Sequence, residues 1–288
     1  MAIITTGFPV DLTILCRRGG VSNQPLFIDR LRGNAVGLAS SSTSAEAAIS
    51  GPITSITFNS NTTVTTAGEA VTNVAWNFKR APGFFDVVCY TGTNVSSALY
   101  YHSLGVIPEL VIIKNRGTLP GGSLGNWSVA HKYVTNSGFL NTTAAFTATK
   151  RILNLTASSF VAAGHADTPD PLNQATTYVA YLFATLAGIS KVGSYTGNGS
   201  SQNIECGFAA GARFVLIKRT DSTGDWYVWD TARGIVADTE PHLSLNSTAA
   251  EVTTDDSIDP YSPGFTVNQV AATNINVTSA TYIFLAIS

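Results

Sequence analysis

One short segment of the sequence concentrates side chains that could do chemistry. The stretch GDWYVWDTARG, residues 224–234, carries two Trp, one Tyr, two Asp and one Arg. An Arg side chain presents a planar fork that pairs with carboxylates or sugar hydroxyls, and aromatic rings offer apolar faces with a polar tip for stacking on a sugar. Asp230 with Arg233 is therefore a candidate ligand clamp, and Tyr227 with Trp229 is a candidate sugar platform.

The same segment also has the pattern of a β-strand, which gives it a structural interpretation. Alternate residues of a strand face opposite sides, so Tyr227 and Trp229 share one face while Trp226 lies on the other. One face would then fill a core, and Asp230 with Arg233 would form an ion pair where the strand enters a turn. We favour this structural interpretation for the Asp-Arg pair.

The segment is one of three related stretches, and the strands that must position it recur with it. The opening strands read DLTILCRR from Asp11, ELVIIKNR from Glu109 and RFVLIKRT from Arg213. The middle stretches read PLFIDRLRG, WSVAHKYVT and WYVWDTARG, and the closing strands read TNVAWNFK from Thr72, TYVAYLFA from Thr177 and TYIFLAIS from Thr281. Because the offsets between copies are nearly equal, we infer three internal repeats.

The repeat separates scaffold residues from candidate contact residues. Asp230 and Arg233 have equivalents in Asp29 and Arg32 of the first copy. The second copy has His131 and Val134 at these positions, so the pair is no site that every copy needs.

The aromatic residues separate in the same way. Trp127 stands at the position of Trp226, which indicates a core role there. Trp229 has only Ile28 and Ala130 as equivalents, so it is the one candidate for a surface contact.

The fold class follows from short, β-branched runs bounded by Gly and Pro, with frequent turn signals. We predict an all-β protein of three tandem antiparallel β-sandwich modules of jelly-roll-like type, spanning residues 1–82, 83–186 and 187–288. The connectors FFDVVCYTGTN and ISKVGSYTGNG precede the second and third modules, and we read their Gly-rich ends as turns. The first module has no such Tyr-Thr-Gly strand.

The missing strand predicts an exposed sheet edge near the N-terminus. An exposed edge is a liability unless something covers it, and a strand added by a partner would cover it. Ile3, Ile4 and Phe8 are the residues that we assign to this assembly edge.

Composition excludes several classes of function. Only 12% of the residues are charged, against about a quarter in typical domains, and the net charge is -2. No basic cluster is present for nucleic acid. No apolar stretch is long enough for membrane insertion, and the N-terminal sequence lacks the pattern of a signal peptide. Three scattered cysteines fit free thiols and a reducing cytoplasm rather than disulfides or zinc.

No constellation of side chains points to catalysis, so we predict no enzyme activity and no cofactor. The four histidines lack metal-ligand spacing, and the sequence has no nucleophile motif. Asp255, Asp256 and Asp259 could cage Ca²⁺, but they lack the spacing of a known calcium loop, so no metal is predicted. Lys114 and Lys218 end apolar strands and are expected to be solvated.

The string AWNFKRAPGFFDVVCYTG, residues 75–92, together with the recurring Tyr-Thr-Gly and Asp-x-x-Arg-Gly patterns, resembles an uncharacterised β-repeat family of tailed-bacteriophage structural proteins. The resemblance covers nearly the whole chain. It implies a virion protein, made in the host cytoplasm, that forms part of a tail fibre, an appendage or a capsid decoration. The implied partners are other virion proteins and further copies of the chain. The alternative is a host-receptor module of the tail that binds surface glycans.

Overall fold

The structure is a computed structural model that describes residues 2–19, 24–49, 53–58, 63–68, 73–119, 125–164 and 170–288. Within these residues the chain forms 24 β-strands and no helix, and the strands of every sheet pair antiparallel. The all-β, antiparallel prediction is confirmed. In the described ranges no helix is long and apolar enough to cross a membrane.

The strands fall into three groups of eight along the chain. The first module contains β1 (Ala2–Thr5), β2 (Leu12–Arg17), β3 (Leu26–Asp29), β4 (Val36–Ala39), β5 (Ala47–Ala48), β6 (Ile53–Thr57), β7 (Thr63–Gly68) and β8 (Asn73–Phe78). The second contains β9 (Phe85–Thr91), β10 (Ser97–Tyr101), β11 (Leu110–Asn115), β12 (Ser128–His131), β13 (Gly138–Phe139), β14 (Ile152–Leu153), β15 (Ser159–Ala163) and β16 (Thr177–Phe183). The third contains β17 (Ser190–Thr196), β18 (Gln202–Glu205), β19 (Phe214–Arg219), β20 (Trp226–Asp230), β21 (Leu243–Ser244), β22 (Ile258–Tyr261), β23 (Gly264–Val267) and β24 (Thr281–Ile287).

Each module has a five-stranded and a three-stranded sheet. The five-stranded sheets have the orders β5-β4-β3-β2-β8, β13-β12-β11-β16-β9 and β17-β24-β19-β20-β21. The small sheets have the orders β1-β7-β6, β10-β15-β14 and β18-β23-β22. Opening, middle and closing strands are neighbours in the same order in each large sheet. The sheets differ at one edge, because β9 and β17 flank the closing strands β16 and β24, whereas the first sheet ends at its closing strand β8.

The two faces of each large sheet have different neighbours. In the second and third modules the outer face packs against the small sheet of the same module: Val111 of β11 and Phe160 of β15 belong to one buried cluster, and Val215 of β19 and Phe265 of β23 to another. The inner faces of all three large sheets meet in one central core. Its members include Ile14 and Trp76 of the first module, Ile112 and Trp127 of the second, and Leu216 and Trp226 of the third. The three modules therefore share one core on these inner faces.

Equivalent backbone hydrogen bonds join the modules into a closed ring. They run from Glu46 N to Arg116 O at 2.8 Å, from Phe146 N to Thr220 O at 2.9 Å, and from Glu251 N to Arg18 O at 2.9 Å. The first module thus contacts the second, the second contacts the third, and the third returns to the first.

The Tyr-Thr-Gly motif has a role in packing rather than in a hairpin turn. Tyr90 stacks on Tyr178 of the closing strand with ring centroids 5.0 Å apart. A Cβ on Gly92 would collide with the backbone oxygen of Gln174, so only glycine fits there. The strands before and after the motif lie in different sheets, so the chain segment that follows the motif does not close a β-hairpin.

Candidate functional site

The residue proposed for surface contact, Trp229, lies in the interior. Its side chain is 0% exposed and packs between the two sheets of the third module, beside Tyr227 with ring centroids 5.8 Å apart. Trp226 faces the central core, so the predicted alternation of the strand is confirmed. The assignment of Trp229 to the surface is wrong because both faces of its strand are covered by sheets. Tyr227, at 8% exposure, offers no sugar platform either.

Asp230 and Arg233 form a buried brace between the third and first modules. Arg233 Nε donates to Asp230 Oδ2 at 2.6 Å, and Trp76 of the first module donates its Nε1–H to the same oxygen at 2.9 Å. Arg233 also reaches Glu251 at 3.1 Å, and Arg18 of the first module pairs with that carboxylate at 2.8 Å. The Arg233 and Asp230 side chains are 2% and 6% exposed, so the two groups are bonded inside the protein and do not form an open ligand clamp.

The same brace joins the first and second modules. Arg32 and Asp29 pair at 2.5 Å with both side chains 0% exposed, and Tyr181 of the second module donates to Asp29 at 2.9 Å. Glu46 accepts from Arg32 at 2.8 Å and from Arg116 at 3.0 Å. Tyr181 holds the same position on its closing strand as Trp76, and Arg116 the same position as Arg18.

The third junction, between the second and third modules, replaces every polar member of the brace. His131 and Val134 stand where the other junctions have Asp and Arg, and Phe146 stands where they have Glu. Leu285 replaces the Tyr or Trp donor, and Thr220 replaces the outer Arg. Because these changes occur together, the loss of Asp and Arg from the second copy is a change from a polar to an apolar junction.

The apolar junction is compatible with a buried histidine because that histidine is neutral. Burial lowers the pKa of His131 to about 3. Phe146 packs beside Trp226 with ring centroids 6.0 Å apart, and Val134 also contacts the central core. At the position of the brace, this junction therefore has apolar contacts in place of an ion pair.

Lys114 and Lys218 are buried, so the prediction that they are solvated is wrong. Lys114 Nζ donates to the backbone oxygens of Thr43 at 3.0 Å and Gly125 at 2.7 Å. Lys218 makes the equivalent pair of bonds across the next junction, with Thr143 at 3.0 Å and Gly224 at 2.7 Å. In the first module the equivalent position is Cys16, a buried free thiol. Both lysines act as connectors between modules.

A groove of about 690 Å³ lies beside β8, where the first module lacks its leading strand. Its walls are mostly apolar and come from all three modules. They include Val74, Trp76 and Phe78 of β8, Phe8 after β1, Phe84 before β9, and Ile287 of β24. In the described residues β8 has β2 on one side and no strand on the other.

The backbone of β8 directs hydrogen-bonding groups into this groove. In the second module Arg116 N bonds to Thr177 O toward β11, while Ala184 N bonds to Phe84 O on the β9 side. Alternate residues of an antiparallel strand bond to opposite neighbours. The first and second sheets share one register, so Ala75 and Asn77 direct their N–H and C=O groups toward the groove.

The residues assigned to an assembly edge fall in two places. Phe8 lines the groove. Ile3 and Ile4 lie on β1, where they pair with Thr65 and Val64 of β7, and their side chains lie outside the described part of the structure. The edge that the missing strand leaves is therefore on β8. The counterparts of β1, β10 and β18, are edge strands too, so β1 is not special to the first module.

All 288 residues, 1–288, match the family described as Domain of unknown function (DUF7483). The chain belongs to the DUF7483 family. No curated protein and no solved structure matches it. One family covers all three modules of this DUF7483 chain, in keeping with the single core that they share.

One polar cluster of the third module contains two of the aspartates considered for Ca²⁺ from sequence, together with Glu240, which sequence reasoning missed. Asp256 and Asp259 lie with Glu240, whereas Asp255 pairs with His242 at 3.2 Å. Glu240 sits in a segment between Arg233 and Leu243 that is longer than the equivalent segment in the other copies. That extra length was the available signal.

Proposed function

We propose that this protein is a structural component of a bacteriophage virion, in a tail fibre, an appendage or a capsid decoration, and acts through protein–protein contacts without enzyme activity. In this proposal the groove along β8 receives an extended segment of a neighbouring virion protein. The observation that carries it is the edge of β8, which pairs with no strand among the described residues at the position that β9 and β17 fill in the other modules. The resemblance of residues 75–92 to phage structural proteins supports the virion assignment.

The chain itself shows how a strand fits this position. Val87 of β9 and Val192 of β17 enter the central core from the equivalent place. An added strand would bond to the N–H and C=O groups of β8 and bury an apolar side chain in the groove. Burial of one Val-sized side chain contributes about 1.5 to 3 kcal/mol.

The groove also specifies the pattern of the segment. One set of positions would lie opposite Val74, Trp76 and Phe78 and would be apolar. The alternate positions would lie opposite Asn73 and Asn77, which replace Tyr178 and Leu182 of the second module. The stacked tyrosine of the Tyr-Thr-Gly strands has no partner here. The expected occupant is therefore an extended segment with one apolar and one polar face.

The described polar clusters support a structural rather than a catalytic role. The Asp-Arg pairs and the two lysines join modules inside the protein. The neutral surface leaves hydrogen bonding and shape for specific contacts. The glycan-binding alternative loses its main candidates, because Trp229 and Tyr227 are buried.

A peptide-binding experiment tests the groove. A fluorescent peptide with the sequence of residues 189–197, which includes β17, is titrated into the protein and followed by anisotropy. We expect saturable binding that Ala75→Pro weakens at least about tenfold, because proline removes the N–H that faces the groove. A peptide with Asp in place of Val192 is the matched control and should not bind.

Absence of binding by the peptide of residues 189–197, or equal binding to the Ala75→Pro variant, would contradict a strand site. Concentration-dependent self-association in sedimentation that the peptide abolishes would identify a second copy as the occupant instead.

The stability of two proline variants shows whether the edge is free. Ala75→Pro should remain within about 1 kcal/mol of the wild type, because proline is accommodated on edge strands. Ala180→Pro is at the equivalent position of β16, where β9 pairs with it. This variant should lose about 1 to 3 kcal/mol of unfolding free energy, because a backbone acceptor of β9 is left unpaired. Equal losses in the two variants would mean that β8 is covered.

The virion assignment has its own test. Antibodies raised against the protein, coupled to gold, should label the surface of purified particles of the phage that encodes it. Unlabelled particles that also lack the chain by mass spectrometry would refute this assignment and leave the groove result intact.

A further inference from the structure

Three carboxylates of the third module converge at one place. Glu240, Asp256 and Asp259 each present an oxygen within 4.8 Å of the other two. Asn268 spans the two aspartates, donating its Nδ2–H to Asp256 Oδ1 at 2.9 Å and to Asp259 Oδ2 at 2.7 Å. The amide fixes the position of both side chains while leaving each with a second oxygen.

Glu240 is the unusual member because it is buried with half of its carboxylate unpartnered. The residue is 0% exposed. Its Oε2 accepts from the backbone N–H groups of Ser257 at 3.0 Å and Ile258 at 3.3 Å. Its Oε1 has no hydrogen-bond partner among the described residues. A buried acceptor without a partner costs about 1 to 3 kcal/mol, and more when it is charged, so a group that binds this oxygen would remove a large penalty.

The electrostatics of the site also favour a cation. Three like charges this close repel one another, and a bound cation reverses that repulsion.

The second module shows that the fold does not need these acids. The equivalents of Asp256 and Asp259 there are Lys150 and Leu153, and Asn268 is replaced by Ala163. Glu240 lies in the segment that is longest in the third copy. Asp256, Asp259 and Asn268 thus have no polar ligand at the equivalent positions of β14 and β15, which is the pattern of a ligand site added to a scaffold.

The oxygen geometry suits calcium. Ca²⁺ takes oxygen ligands at about 2.3 to 2.6 Å, so two oxygens on opposite sides of the ion are about 5 Å apart. Oxygens within 4.8 Å of one another can share one such ion. The aspartates are half-buried, so water can complete the coordination.

We infer that Glu240, Asp256 and Asp259 form a Ca²⁺ site in the third module. The ion would bind Oε1 of Glu240 and one oxygen of each aspartate, and would tie the long segment before β21 to β22. The inference is independent of the virion assignment and of the groove.

Calcium titration of the intact protein tests the site. Binding is measured by calorimetry after removal of metal with EDTA, and thermal unfolding is followed with added CaCl₂ or MgCl₂. We expect one Ca²⁺ per chain, and a Tm rise of about 5 °C at roughly 100 times the Kd. Equal concentrations of Mg²⁺ should give a smaller rise, because Mg²⁺ demands stricter geometry and releases water reluctantly.

Three variants separate ion binding from a structural role. Glu240→Gln keeps the shape, so it should bind no Ca²⁺ while its Tm in EDTA stays at or above that of the wild type. Asp256→Lys copies the second module and should fold without a calcium response. Asp238→Asn, which changes an exposed acid in the same segment, is the control and should respond fully.

Three results would overturn the inference. The first is a wild type that shows neither heat nor a Tm change up to about 10 mM Ca²⁺, tenfold above the weakest extracellular sites. The second is a full calcium response in Glu240→Gln. The third is an equal or larger response to Mg²⁺, which would exclude calcium as the specific ligand.

Discussion

Replacement of Arg32 by valine, the residue that the second module has at this position, tests the role of the buried braces. Arg32 donates to Asp29, Glu46 and the backbone oxygen of Phe27, and its side chain is 0% exposed. Its removal leaves the Asp29 carboxylate buried, with the hydroxyl of Tyr181 as its remaining side-chain donor.

Removal of one partner from a buried ion pair typically costs about 3 to 5 kcal/mol. The total stability of a domain is about 5 to 15 kcal/mol, so Arg32→Val should lose a large part of it. The measurement is urea denaturation followed by tryptophan fluorescence. Trp127 reports on this junction because its Nε1 bonds to Ala39 O of the first module at 3.0 Å.

The matched variant transplants the whole apolar junction. It carries Asp29→His, Arg32→Val, Glu46→Phe, Arg116→Thr and Tyr181→Leu, the set found between the second and third modules. Apolar replacement of a complete buried ion pair is often neutral or stabilising, so this variant should recover most of the loss in Arg32→Val. A loss below about 1 kcal/mol in the single variant would refute a brace. A five-residue variant that is less stable than Arg32→Val would refute the idea that the two kinds of junction are alternatives.

Three further predictions concern buried groups. Burial lowers the pKa of Lys114 to about 8, below its unfolded value of about 10.4. Between these two values the folded state binds fewer protons than the unfolded state, so the free energy of unfolding should rise from pH 8 to 10. The urea midpoint should rise with pH across this range, and the rise should be smaller in Lys114→Met than in the wild type. The same pH dependence in both proteins would contradict the prediction. Trp229→Ala should lower the free energy of unfolding, measured by urea denaturation, by about 3 to 5 kcal/mol because the side chain is fully buried. A loss near zero would contradict the burial of Trp229. Gly92→Ala should lower Tm by calorimetry because its Cβ collides with Gln174 O, and an unchanged Tm would show that the backbone there adapts freely.

The strands could be predicted from sequence because their signals are local. Short β-branched runs and a repeated order of opening, middle and closing strands were enough to give an all-β fold. The contacts between modules could not be predicted in this way. The run from Trp226 to Trp229 is apolar on both faces, which shows that both are covered, but no local pattern states what covers them.

The candidate sites were harder to predict because their partners are remote in sequence. Lys114 follows an apolar strand and looks like a solvated strand end, yet its acceptor Thr43 belongs to another module. The recurrence of Asp230 with Arg233 within the chain predicts a structural pair, and both side chains are buried in an ion pair. Glu240 shows no motif, and only the length of its segment marks it.

The ring of modules has a consequence for how the chain reaches its folded state. The contact between Arg18 and Glu251 joins residues far apart in sequence, and β24 in the central core is the last strand of the chain described here. Contact order is therefore high, and high contact order slows folding. During synthesis the inner faces of the first two large sheets would wait, apolar and uncovered, for the third, and such exposed intermediates are prone to aggregate. We therefore expect slow folding and, because the three modules share one core, a single cooperative unfolding transition.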